Sequence, residues 1–147
     1  MNQATIADAL ENRIDELIEK WTSAVRDDPR IESDEKLSRP ELIDNVPAIV
    51  QEICQLIRDD KTPDVRNSNE ARANVYMRVH QGYKGRDLIR ELSLLRITLL
   101  DYLMAFSDES PGIDADERHN AATIINLYLD EEMRYEISVY SNRPDAQ

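Results

Sequence analysis

RDLIRELSLLRITLLDYLMAF, residues 86–106, contains no Gly or Pro and repeats apolar residues at helical spacing. Leu88, Leu92, Leu95, Leu99, Leu103 and Phe106 fall on one stripe of an α-helix, and Leu94, Ile97 and Met104 lie on the opposite side. A helix apolar on two sides is expected near the centre of a helical domain. Arg96 interrupts the stripe between Leu92 and Leu99, a charge where the pattern calls for an apolar side chain.

The same period runs through the rest of the chain. Towards the C-terminus, a break over residues 107–112 precedes a helix expected over residues 114–140, about 40 Å long at 1.5 Å per residue. Its main stripe is Ala121, Ile124, Ile125, Tyr128, Tyr135 and Val139, with Glu132 inside it. A second row, Ala122, Leu129, Met133 and Tyr140, has the spacing of a heptad seam. Towards the N-terminus, Ser68 can cap a helix carrying Ala71, Val75 and Val79 that ends near Gly82 and Gly85. Residues 59–67 read as a polar loop. Upstream of it, Ser38 and Glu41 form a capping-box pattern, with Leu37 and Leu42 at the staple positions. Pro47 divides that segment into a short helix and a longer one to residue 58. Ile6, Leu10, Ile14, Leu17, Ile18, Trp21 and Val25 predict one first helix over residues 5–27, with Trp21 as a core anchor. The expected fold is all-α, an antiparallel bundle of five or six helices in one domain over residues 1–140, with non-haem globin-like packing as the alternative. Residues 141–147 read as the start of a linker.

Composition narrows the function. The chain has 147 residues, 30 acids against 18 bases, and a net charge of −12. That surplus argues against binding a nucleic-acid backbone or an anionic lipid surface. A single cysteine, Cys54, allows no internal disulfide and reads as a small buried residue. No apolar run is long enough to span a bilayer, so the expected setting is cytoplasmic. Gly-rich phosphate loops, HExxH and GxSxG are missing, so no catalytic residue is expected and no enzyme activity is assigned to this domain. His80 and His119 lie on different helices without ligand spacing, and no metal or cofactor is expected; only a globin-like arrangement would make His80 a haem ligand.

Two constellations remain. Arg96 and Glu132 each interrupt an apolar stripe, so the expectation is a salt bridge between them, fixing helix register or forming a polar ligand spot with Tyr128 and Tyr135. The second row, Ala122, Leu129, Met133 and Tyr140, suggests the seam of a homodimer.

The stretch Leu37-Ser38-Arg39-Pro40-Glu41-Leu42-Ile43-Asp44-Asn45-Val46-Pro47-Ala48-Ile49-Val50 resembles a motif of RsbRD-type N-terminal domains. So do Gly82-Tyr83, the run from Leu88 to Arg96, and Trp21 late in the first helical segment. The resemblance covers roughly residues 6–140. The family pattern has an aromatic after the Glu of the central helix, where this chain has Leu92, and often a His in the preceding helix, where it has Asn74. The resemblance implies the N-terminal signal-input domain of a bacterial signal-transduction protein. The parent would first of all be a histidine kinase, with the last helix relaying the signal to a C-terminal effector. The alternatives are a stressosome-type RsbT co-antagonist domain that binds a partner protein, and a haem- or small-molecule-binding globin-like sensor.

Overall fold

In the computed structural model residues 3–109 and 113–142 are described, with side chains over 5–106 and 113–142; the tail over 143–147 and residues 110–112 of the expected break lie outside them, while residues 107–109, expected in that break, are helical. Among the described residues seven α-helices follow one another: α1 (Gln3–Glu11), α2 (Ile14–Asp27), α3 (Arg39–Ile43), α4 (Val46–Asp59), α5 (Asn69–His80), α6 (Gly85–Glu109) and α7 (Ala115–Ser141). A 3-10 turn, Val65–Asn67, precedes α5. No strand occurs among the described residues, and the fold is an all-α bundle.

The expected first helix is two. The chain breaks at Asn12 and Arg13, where the Arg13 amide donates to Leu10 O at 3.1 Å and Arg13 leaves helical geometry at φ −115° and ψ 16°. The apolar period continues across the break, which is why the sequence reads as one helix. The two halves serve different partners: α1 packs on α4, and α2 on α6. Trp21 is buried as expected, and its indole Nε1 donates to the Glu91 carbonyl of α6 at 3.1 Å.

Helix ends follow the local sequence. Ser38 Oγ accepts from the Glu41 amide while Glu41 Oε1 accepts from the Ser38 amide, a complete capping box. Leu37 and Leu42 are both buried beside it. Pro47 sits in the first turn of α4, where its missing N–H costs nothing. Ser68 Oγ caps α5 through the Ala71 amide. At the end of α5 the Tyr83 amide donates to Arg78 O and the Gly82 amide to Val79 O, a Schellman arrangement with Gly82 at φ +79°. Glycine adopts that left-handed conformation without strain.

The centre of the bundle is α7 rather than α6. Helices α1, α4, α5 and α6 and the 3-10 turn all contact α7. The second apolar side of α6 instead reaches the surface, where Ile97 is 51 % and Met104 69 % exposed. At 100° per residue, the buried residues of α7 from Ile124 to Tyr140 cover an arc of roughly 160°. Both rows read from the sequence belong to that single arc. Leu129 and Tyr140 are therefore core residues of their own chain, and Ala122 and Met133 lie half-buried at its edge. This corrects the expected dimer seam: two of its four residues are occupied by intramolecular packing.

Candidate functional site: a buried acid belt

Glu132 stands in the middle of the α7 arc, and Glu136 one turn later on the same face. Both are sealed from solvent, at 0 % and 1 % exposure. Glu132 Oε2 accepts from Asn74 Nδ2 of α5 at 2.9 Å, and its Oε1 has no partner. Neither carboxyl oxygen of Glu136 has one. Burial pushes both acids up to about 8; the nearby acid Glu52 reinforces this at Glu132, and Glu132 and Glu91 do so at Glu136.

A third acid, Glu91 of α6, faces them and is 2 % exposed. Its Oε1 receives the buried guanidinium of Arg78, from Nε at 3.1 Å and from Nη2 at 2.9 Å. Burial outweighs that cation and raises Glu91 to about 7. Arg78 also donates to the Leu42 and Glu41 carbonyls and to Gln81 Oε1, so one side chain fastens α3 and α5 to α6. The turn at Gly82 places the Tyr83 ring 4.8 Å from that guanidinium. On the far side, Tyr128 of α7 and Ser68 both donate to Glu52 Oε2, at 2.5 and 2.6 Å.

Arg96 and Glu132 do not pair. Arg96 Nη2 donates to Asp130 Oδ1 at 2.7 Å, and Nη1 to Asn126 Oδ1 at 3.3 Å. Asp130 lies two positions before Glu132, roughly 160° away around the helix, so Arg96 meets the outer edge of α7 and Glu132 its inner face. Of the four residues assigned to the polar spot, the fold brings together Glu132 and Tyr128. Tyr135 turns aside to an edge-on contact with Tyr76 at 6.2 Å. His80 and His119 are both exposed, so His80 does not stand in the core, where a globin-like haem-ligand role would need it. Cys54 is fully buried, and burial raises its thiol to about 12, where it is chemically quiet.

The residues missed from the sequence are Asn74, Arg78, Glu91 and Glu136. Glu136 carried a usable signal, since 132 and 136 both fall between Tyr128 and Val139 on one face. Arg78 carried none, because long cations at a helix C-terminus usually face water.

Where α6 begins and α7 ends there is a cavity of about 490 Å³, lined by Gly85, Arg86, Ile89, Glu136, Ile137 and Tyr140 among others. The Tyr140 hydroxyl closes one side by donating to the Tyr83 carbonyl at 3.0 Å. Gly85 packs closely on this wall: a Cβ there would meet Glu136 Oε1 and the Tyr140 ring at 3.4 Å. Among the described residues no cluster of three or more metal-ligating side chains occurs, and no helix is long and apolar enough to cross a membrane.

Residues 15–142 match the RsbT co-antagonist protein rsbRD N-terminal domain, and the chain belongs to that family. Its fold and family make it an N-terminal domain of stressosome-type signalling. No curated protein and no solved structure matches the chain.

Proposed function

We propose that the chain is a signal-input domain, in which a change at the buried acid belt shifts α7 and thereby acts on a downstream effector, in the first instance a histidine kinase. The observation that carries this reading is the state of Glu132 and Glu136: three of their four carboxyl oxygens are buried without a hydrogen-bond partner, on the last helix, α7. A helix serving only as scaffold gains nothing from such groups, because each unsatisfied buried oxygen costs about 1–3 kcal/mol. A small rotation that hydrates them, or a proton or ligand that satisfies them, is worth enough to bias two arrangements of α7. Hydrogen exchange tests this. Raising the pH from 6.5 to 8.5 should loosen residues 129–142 relative to α2 after correction for intrinsic rates, and Glu132→Gln with Glu136→Gln should remove most of the difference, leaving what Glu91 contributes. Equal protection of α7 at both pH values would overturn the relay.

A second reading is favoured by the family and the acidic surface: a co-antagonist that docks an RsbT-type partner protein. Charge-driven docking should weaken as salt rises, whereas a buried relay should not.

A further inference from the structure

We propose that the cavity between the start of α6 and the end of α7 binds a small organic ammonium ion with a short apolar tail, its charge held by the carboxylate of Glu136. The cavity's volume, about 490 Å³, is of the size that small ligands occupy. Glu136 forms part of its wall, is 1 % exposed, and has both oxygens free to accept hydrogen bonds. An ammonium group offers three donors and the opposite charge. Ile89, Ile137 and Tyr140 supply the apolar wall for a tail.

Glu136 in the wall is backed by two more buried acids. Glu132 on α7 and Glu91 on α6 both raise the proton affinity of Glu136. Arg78, the one buried base among the described residues, is already committed to Glu91, Gln81 and two carbonyls. At the mouth, Lys84 and Arg86 are exposed and lie beside acids of their own, Glu32 at 3.6 Å and Asp87 at 4.0 Å. The amides at the start of α6 favour an anion, but an anion offers no donor to the two unpartnered oxygens of Glu136.

Binding exchanges one proton for the ligand. With Glu136 raised to about 8, its acid form predominates at neutral pH. The entering R–NH₃⁺ displaces that proton to solvent and leaves a carboxylate–ammonium pair, with no other bond made or broken. Affinity should therefore climb with pH to about 8 and level off above it.

The inference goes beyond the relay, and the two fail separately, since an ammonium ion can bind without moving α7. Its test is calorimetry of the chain with n-butylammonium chloride, in two buffers of different ionisation enthalpy. Saturable binding with proton release near pH 7 is expected, weakened roughly thirtyfold or more by Glu136→Gln. Gly85→Leu, whose side chain would stand against Glu136 and Tyr140 and fill the space beside them, should also remove it. Absence of binding, or binding unchanged in Glu136→Gln, overturns the proposal. Equal binding of n-butanol would reduce the site to an apolar cavity, and preferential binding of butyrate would make it an anion site; either result overturns it too.

Discussion

Glu132 is fully buried on the inner face of α7, and its acid group makes folding dependent on pH. Its proton affinity is raised from an ordinary 4.5 to about 8. Between those values the native chain holds a proton that the unfolded chain has released, so stability falls as pH rises. The stabilising protonated form is complete below about 4.5 and is lost as pH climbs through about 8. Glu136 behaves likewise. Urea unfolding should show Glu132→Gln gaining on the order of 2–4 kcal/mol over the parent at pH 8.5 and almost nothing at pH 5. A variant equally stabilised at both would mean that the native carboxyl is not held protonated. The Arg96 pairing has its own check. A double-mutant cycle of Arg96→Ala with Asp130→Ala should couple by about 0.5–1 kcal/mol, as half-exposed pairs do, and a cycle with Glu132→Ala by close to zero. Both residues were legible as anomalies in apolar stripes; which partner each takes depends on the rotation of α7, which a list of stripe positions does not contain.

At the scale of elements, capping was the most legible feature, because a cap is satisfied within three residues of itself. Ser38 with Glu41, Ser68 with Ala71, and the glycine turn after α5 all form as their local sequence dictates. The width of a buried arc was less so. A row such as Leu129, Met133 and Tyr140 has the same spacing whether a second chain or the same chain covers it. Here four helices of the same chain surround α7, which makes a sharp prediction possible. Leu129→Glu puts a charge at a fully buried position and should cost more than about 4 kcal/mol, abolishing the cooperative melt. Met133→Glu, at the half-buried edge, should melt within about 1–2 kcal/mol of the parent. If light scattering instead reports a dimer that Leu129→Glu converts to a folded monomer, the row is a seam after all.

Across the whole molecule, the all-α class was readable because every long segment repeats at 3.6 residues. The acid belt was readable only in part, since it is assembled from α5, α6 and α7 by long-range packing. Arg78 shows the difficulty best: its side chain joins three helices, yet its sequence neighbours are those of a surface cation. Arg78→Met should test whether that junction depends on charge or on volume. It leaves Glu91 buried without its cation and should raise the acid further, steepening the loss of stability towards alkaline pH by about 2 kcal/mol or more. Glu91→Gln added to it should recover most of that loss. An Arg78→Met variant with an unaltered pH profile would place the junction's strength in packing alone.

The break between α1 and α2 gives the chain a detachable first segment. Helix α1 precedes the stretch shared with the family, and it is held to α4 by Ile6, Ala7 and Leu10, with Arg58 reaching across to Asp8 and Glu11. Because α2 starts afresh at Ile14, α1 can lift without unwinding its neighbour. Such a segment opens as its own unit, at a free energy below that of global unfolding. Trypsin acting on the native protein should then cut first after Arg13, at a rate that urea well below the main transition leaves nearly unchanged. The product would begin at Ile14 with the acid belt intact, leaving a strip of α4 open to water and to any helix able to take the place of α1.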